Sequence, residues 1–149
     1  YNVLSGSCTP SAVPLVRMAS DLGIKTLEER SYLQILVSFD IDGTLESGDP
    51  AGPITMGMVR KAEAHGCIIG SSSDRPLPVQ QAICDRHKIQ VSFVSTKQGL
   101  LDLKSRFTAD EYYHIGDTEL DQQYAVAAGF HFVWMDAGNT EPWLNNEVT

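Results

Sequence analysis

Apolar residues along this chain come in short runs, separated by stretches with helical spacing. YLQILVSF (Tyr32–Phe39) is apolar almost throughout and runs into Asp40. Met58, Val59 and Ala62 then share one face of a helix expected over Ile54–His65, with Gly66 placed to stop it. The same rhythm continues through the strand-like CIIGSS (Cys67–Ser72), a helix over Pro78–His87 and a short strand near Ile89–Val94. It goes on through a helix over Gln98–Phe107, the strand YYHIG (Tyr112–Gly116), a helix over Glu119–Ala128 and the strand FHFVWM (Phe130–Met135). Near-continuous apolar runs suit strands covered on both faces, and strands alternating with helices predict a parallel sheet. The expected fold class is therefore α/β, a single-domain Rossmann-like three-layer sandwich around a central parallel sheet. From Asp136 the chain turns polar, and an irregular tail is expected there.

Ala12, Leu15, Val16, Ala19 and Leu22 also fall at helical spacing, between Pro10 and Gly23. With VLSGSCTP before it as an edge strand and turn, residues 1–30 read as a strand/helix extension. Residues 31–149 read as the core, the two together making one compact domain. At 149 residues and 42% hydrophobic, the chain suffices for one sizeable core.

Charge narrows the partners. Eleven Lys and Arg stand against 19 Asp and Glu, a net charge of −8 with no block of like sign. Such an acidic surface argues against non-specific nucleic-acid binding, which needs cations to displace counterions from phosphates. No run approaches the ~20 apolar residues that cross a bilayer, and YNVLSGSCTP carries no secretory pattern. No membrane partner and a cytoplasmic location are expected. Cys8, Cys67 and Cys84 form no CxxC pair, which fits reduced thiols.

The candidate chemistry begins at VSFDIDGTL (Val37–Leu45). Two aspartates two apart, Asp40 and Asp42, leave the C-terminal end of a buried strand, the edge where open parallel sheets bind ligands. Gly43 and Thr44 then turn the chain. Downstream, Gly116-Asp117 ends another strand and Asp121 follows four residues on, so both carboxylates can reach one cleft. Carboxylates gathered around Asp40 make a hard oxygen site suited to Mg²⁺.

These segments resemble the haloacid dehalogenase-like hydrolases, whose first motif is DxDxT after an apolar strand. The resemblance runs from about Leu33 to Met135, with the family's four motifs in order. It implies that Asp40 is the nucleophile that takes up the phosphoryl group and that Asp42 is the general acid/base. The second aspartate is similar to the phosphatase branch, since the dehalogenase members lack it. GDTELD matches the fourth motif, GDxxxD. By resemblance Asp40, the backbone carbonyl of Asp42, and Asp117 would be direct Mg²⁺ ligands, and Asp121 would bind through water or orient Lys97. IIGSSSDRP resembles the second motif, with Ser73 as the phosphate-binding serine and Ser71 as the alternative. Gly43, Thr44 and Asp74 are placed with it around the phosphoryl group, and Arg75 either reaches the substrate or is solvated. Lys97 in STKQGLLDL resembles the third motif, with Lys104 as the alternative; a fixed cation there offsets carboxylates and phosphoryl oxygens. His65, His87, His114 and His131 show no metal-ligand spacing and read as structural or exposed. The Trp, Phe and Tyr residues read as mostly strand and core.

Only nine residues separate Thr44 from Ile54, and one helix and one strand fill the stretch from Asp74 to Lys97. Neither leaves room for the cap domain with which many relatives choose substrates. The expected activity is Mg²⁺-dependent hydrolysis of a small-molecule phosphomonoester or a larger phosphorylated substrate, with a homo-oligomer closing the site. Two alternatives stand beside it: a phospho-accepting, receiver-like signalling domain, and a non-catalytic relative.

Overall fold

Residues 32–145 are described by a computed structural model; the expected strand and helix within residues 1–30 lie outside them. Five strands form one parallel sheet: β1 (Ile35–Phe39), β2 (Ile68–Ser72), β3 (Phe93–Ser95), β4 (Glu111–Gly116) and β5 (His131–Trp134). Their order is β3-β2-β1-β4-β5. Four helices alternate with them: α1 (Met56–Ala64), α2 (Leu77–Arg86), α3 (Leu100–Arg106) and α4 (Glu119–Ala127). The expected α/β sandwich is what forms, in one compact unit from Leu33 onward among the described residues.

Strand alternation sorts side chains to the two faces. Ile35, Val37 and Phe39 of β1 pack with Ile69, Ile115, Met56, Val59 and Ile83 on one face. Leu36 points to the other, with Phe93, Leu100, Leu103 and Ala125. Helices α1 and α2 thus cover the first face, and α3 and α4 the second.

The elements depart from expectation mainly at their ends. β1 starts at Ile35 rather than Tyr32, because Gln34 is tied off sideways, its N–H donating to Asp110 Oδ2 at 2.7 Å. Ile89 belongs to the close of α2 rather than to β3: its N–H donates to Cys84 O after Lys88 turns through φ +57°. β3 is left with Phe93–Ser95, while α1 ends as expected, with Gly66 at φ +100°.

The tail is a correction. Met135–Thr140 and Pro142–Leu144 form two 3₁₀ turns, and Trp143 is fully buried outside any strand, edge-on to Phe39 at 5.6 Å. An indole burying its whole surface against the first face repays the ordering of this polar segment. Trp134 and Tyr32, in contrast, are exposed. Cys67 and Cys84 are buried free thiols, each pushed up to about 11 by burial, so neither is a reactive thiolate. No helix among the described residues is long and apolar enough to cross a membrane.

Candidate active site

The strand order reverses direction beside β1, whose neighbours are β2 and β4. At such a switch point the loops leaving adjacent strands part, and a crevice opens at the strands' C-terminal ends. A cleft of about 210 Å³ lies there, lined among others by Asp40, Asp42, Ser73, Asp74, Lys97 and Asp117. Each of these six was expected from sequence. Four different strands deliver them: Asp40 follows β1, Ser73 follows β2, Lys97 follows β3 and Asp117 follows β4.

Opposite charge is concentrated at the bottom of the cleft. Carboxylate oxygens of Asp40, Asp117 and Asp121 lie within 4.8 Å of one another. Lys97, itself buried, reaches Asp121 Oδ2 at 3.3 Å and both Asp40 Oδ2 and Asp74 Oδ2 at 3.6 Å. Burial, together with the nearby Asp121 charge, pushes Asp40 up to about 8 despite Lys97. Lys97 moves upward too, since its three carboxylate partners outweigh the burial that opposes its charge. Burial also opposes the charge of Asp121, yet hydrogen bonds with His114 and Thr118, aided by Lys97, hold it down to about 2.

Asp121 is not a solvated residue. It is N3 of α4 and completes a capping box with Thr118, whose N–H and Oγ–H both donate to Asp121 Oδ2. Its Oδ1 lies 2.8 Å from His114 Nε2. Its Oδ2 also lies 3.3 Å from Lys97 Nζ and its carboxylate is within 4.8 Å of those of Asp40 and Asp117, so Asp121 is within reach of both tasks the resemblance implied. Asp117 keeps its carboxylate toward the cleft. Gly43, at φ +76°, lies against it so closely that a Cβ there would collide with the Asp117 carboxylate.

Asp42 stands at the rim and is clasped by Arg75. The guanidinium Nε lies 2.9 Å from Oδ2 and its terminal nitrogen 2.7 Å from Oδ1, while Asp49 N–H donates to Oδ1 at 2.8 Å. The Arg75 hydrogen bonds hold Asp42 below the usual carboxylate range. Arg75 was open between substrate contact and solvation; it is instead a fork on the neighbouring carboxylate. The residues between Thr44 and Ile54 fold back on themselves through paired Thr44 and Ile54 backbone groups and bring Pro50 to the cleft edge. No helix interrupts them, in keeping with a capless core.

The serine and lysine alternatives separate cleanly. Ser73 lines the cleft, its Oγ accepting from Arg75 N–H at 3.1 Å. Ser71 turns under α2 and donates to Gln80 Oε1 at 2.5 Å. Lys104 lies away from the cleft, donating to Gly129 O and covering the Tyr112 ring. Thr44 is a correction: it is fully buried, outside the cleft lining, and its hydroxyl has no partner among the described residues. Its backbone closes the loop, donating to Ile41 O and accepting from Ile54 N–H, and the side chain is enclosed with it. Gly43 likewise shapes the site by its closeness to Asp117 rather than by lining it. His65 and His131 are exposed and His87 half-buried, as read from sequence. His114 is fully buried behind Asp121, a contact that sequence spacing alone did not announce.

The donor set fits a divalent cation of the hard class. It is all oxygen, it holds more negative than positive charge, and without a cation Asp40 is forced toward its neutral form. No family model, curated protein or solved structure matches this chain.

Proposed function

We propose that this chain is a Mg²⁺-dependent phosphomonoester hydrolase of the haloacid dehalogenase-like kind, acting through an aspartyl phosphate on Asp40. One observation carries the reading: Asp40, Asp117, Ser73 and Lys97, from the ends of four strands, meet in a single cleft at the sheet's switch point. The cleft volume of about 210 Å³ is below the roughly 300–1,000 Å³ of pockets that enclose a drug-sized ligand. On this reading it would take a phosphoryl group and leave the rest of the substrate outside, which suits small phosphomonoesters and larger phosphorylated substrates alike.

Asp40 and Asp117, with the backbone carbonyl of Asp42, would hold the Mg²⁺, and Asp121 would stay bound to Lys97. When bound, the ion supplies positive charge against the phosphoryl oxygens and keeps Asp40 ionised. Asp40 attacks phosphorus through a carboxylate oxygen as the ester P–O bond breaks. Asp42 gives its proton to the departing oxygen, then takes one from the water that cleaves the Asp40–phosphorus bond. The Arg75 clasp matters here. Held by the guanidinium fork, Asp42 is an anion of lowered basicity. It must leave the fork and take up a proton from solvent before it can give one to the departing oxygen, and out of the fork it recovers the basicity to take one from water. Ser73 Oγ and Lys97 Nζ steady the phosphoryl oxygens as charge migrates between them.

The receiver-like alternative has less support. Its flavodoxin-like order is 2-1-3-4-5, whereas this sheet is 3-2-1-4-5. With no cap, a second copy of the chain is expected to close the cleft from water, and light scattering at micromolar concentration should return a multiple of the 16.3 kDa chain mass.

The metal is tested most directly. Excess EDTA should remove phosphomonoester turnover and Mg²⁺ should restore it. Ca²⁺ should support turnover poorly, because its longer, looser bonds misplace Asp40 relative to phosphorus. Undiminished turnover in EDTA would refute the assignment.

A further inference from the structure

The second face of the sheet changes character toward the C-terminal strand ends. Lower down, the paired positions Leu36 and Tyr112 are filled by apolar and aromatic side chains. One step up on the same face, the paired positions are Ser38 and His114, with Ser72 beside them. Ser38 Oγ lies 2.7 Å from Ser72 Oγ and 3.0 Å from His114 Nδ1, and His114 Nε2 lies 2.8 Å from Asp121 Oδ1. Ser38, Ser72, His114 and Asp121 are all at 0% exposure.

A row of buried polar groups costs stability unless every member is bonded, and apolar residues would fill the same space at less cost. What the row delivers is a fixed ring. The Ser38 hydroxyl holds Nδ1, which sets the rotation of the imidazole and directs Nε2 at Asp121. Asp121 has no room to move aside, because Gly116 packs so tightly on its carboxylate that a Cβ there would collide with it. Its other oxygen is the nearest carboxylate to Lys97 Nζ, at 3.3 Å against 3.6 Å for Asp40 and Asp74.

We infer that His114 is a positioning residue: braced by Ser38, it holds Asp121 so that Asp121 in turn holds Lys97 in the cleft. The inference concerns the placement of Lys97, and its kinetic consequence rests on the phosphatase reading. An outer partner that orients a metal ligand is typically worth about 10–100-fold in affinity or activity, and His114 stands in the analogous place behind Asp121.

The test compares His114→Phe, which keeps a ring without hydrogen-bonding groups, with His114→Gln, whose amide can still reach Asp121. Each intact chain is acylated competitively, and labelling of Lys97 is read by mass spectrometry against the exposed Lys61 as internal reference. Phosphomonoester kinetics are measured on the same samples. In His114→Phe, Lys97 labelling should rise on the order of tenfold and kcat should fall about 10–100-fold, with His114→Gln within about threefold of the parent in both. A purely structural His114 would lower the melting temperature and leave Lys97 labelling and kcat where they were; that result overturns the inference. If His114→Phe does not fold, Ser38→Ala takes its place, with a smaller rise in Lys97 labelling expected and an unchanged labelling ratio counting against us. If the parent chain turns over no phosphomonoester, the phosphatase reading fails, while the labelling ratio still decides the role of His114.

Discussion

Replacing Asp40 by Asn should abolish turnover and covalent labelling together, whereas replacing Asp42 by Asn should separate them. The two carboxylates sit two residues apart, yet their surroundings differ. Asp40 is 2% exposed at the bottom of the cleft, 3.6 Å from Lys97, where a phosphoryl group would lie. Asp42 is at the rim with Arg75. On the proposed reaction, attack needs an anionic oxygen at Asp40, and an amide cannot take that part. Asp42 only moves protons, a contribution typically worth about 10²–10⁴-fold. An acyl or aryl phosphate has a leaving group that departs without a proton. Asp42→Asn should therefore still accept phosphate from such a donor, then hydrolyse it slowly, so that phosphoenzyme accumulates. Intact-mass measurement with an acyl phosphate should find one added phosphoryl group on Asp42→Asn and none on Asp40→Asn. Equal labelling of both, or the reverse pattern, would mean that the two roles are wrongly assigned.

How far the sequence carries this reading differs between residues. β1, β2 and β4 were legible because each carries a short apolar or aromatic run, such as ILV, II and YY, that a central parallel strand buried on both faces calls for. The strand ends were not, since they depend on partners far away in sequence, such as Asp110 for Gln34. Trp143 shows the same limit: a lone aromatic in a polar tail has no periodicity to reveal that it seals the first face. In the cleft, Ser73 and Lys97 were singled out from Ser71 and Lys104 only by the family resemblance, whereas Asp40 and Asp117 were readable because residues at parallel strand ends gather at one edge. The Arg75 fork on Asp42 and the His114–Asp121 contact were not, because each joins side chains whose meeting depends on rotamers and crossing loops. One signal did exist for His114. It lies at an inward strand position where the neighbouring central strand carries Ser38, and polar residues at two paired positions of a buried sheet call for a common bonding partner.

The last prediction needs no substrate. In metal-free buffer Asp40→Asn should raise the melting temperature at alkaline pH and change it little at acid pH. Burial, with the Asp121 charge next to it, pushes Asp40 from 3.8 up to about 8. Between those values the folded chain keeps a proton that the unfolded chain has released, so stability falls as pH rises through this window. It is fully present below about pH 4 and lost as pH passes 8. Asparagine has nearly the same shape and no charge to desolvate, so it escapes the loss. The gain at pH 8.5 should be on the order of a few kcal/mol, or roughly 5–10 °C for a chain of this size. Asp121→Asn should do the opposite. That carboxylate is held down to about 2, chiefly by His114 and Thr118 against the opposing burial, so its contribution is present above about pH 4 and is lost only as pH falls toward 2. At neutral pH its removal should destabilise, leaving Lys97 and His114 without their shared partner. Mg²⁺ should then raise the melting temperature of the parent chain at pH 8.5 and leave Asp40→Asn nearly unmoved, since an ion that binds only the folded form stabilises it in proportion to its occupancy. Differential scanning calorimetry from pH 4 to 8.5, with EDTA or with Mg²⁺, reads all three results. If Asp40→Asn melted below the parent at pH 8.5 in EDTA, the crowding of charge around Asp40 would not be the burden that this cluster implies, and the case for a cation there would lose its physical basis.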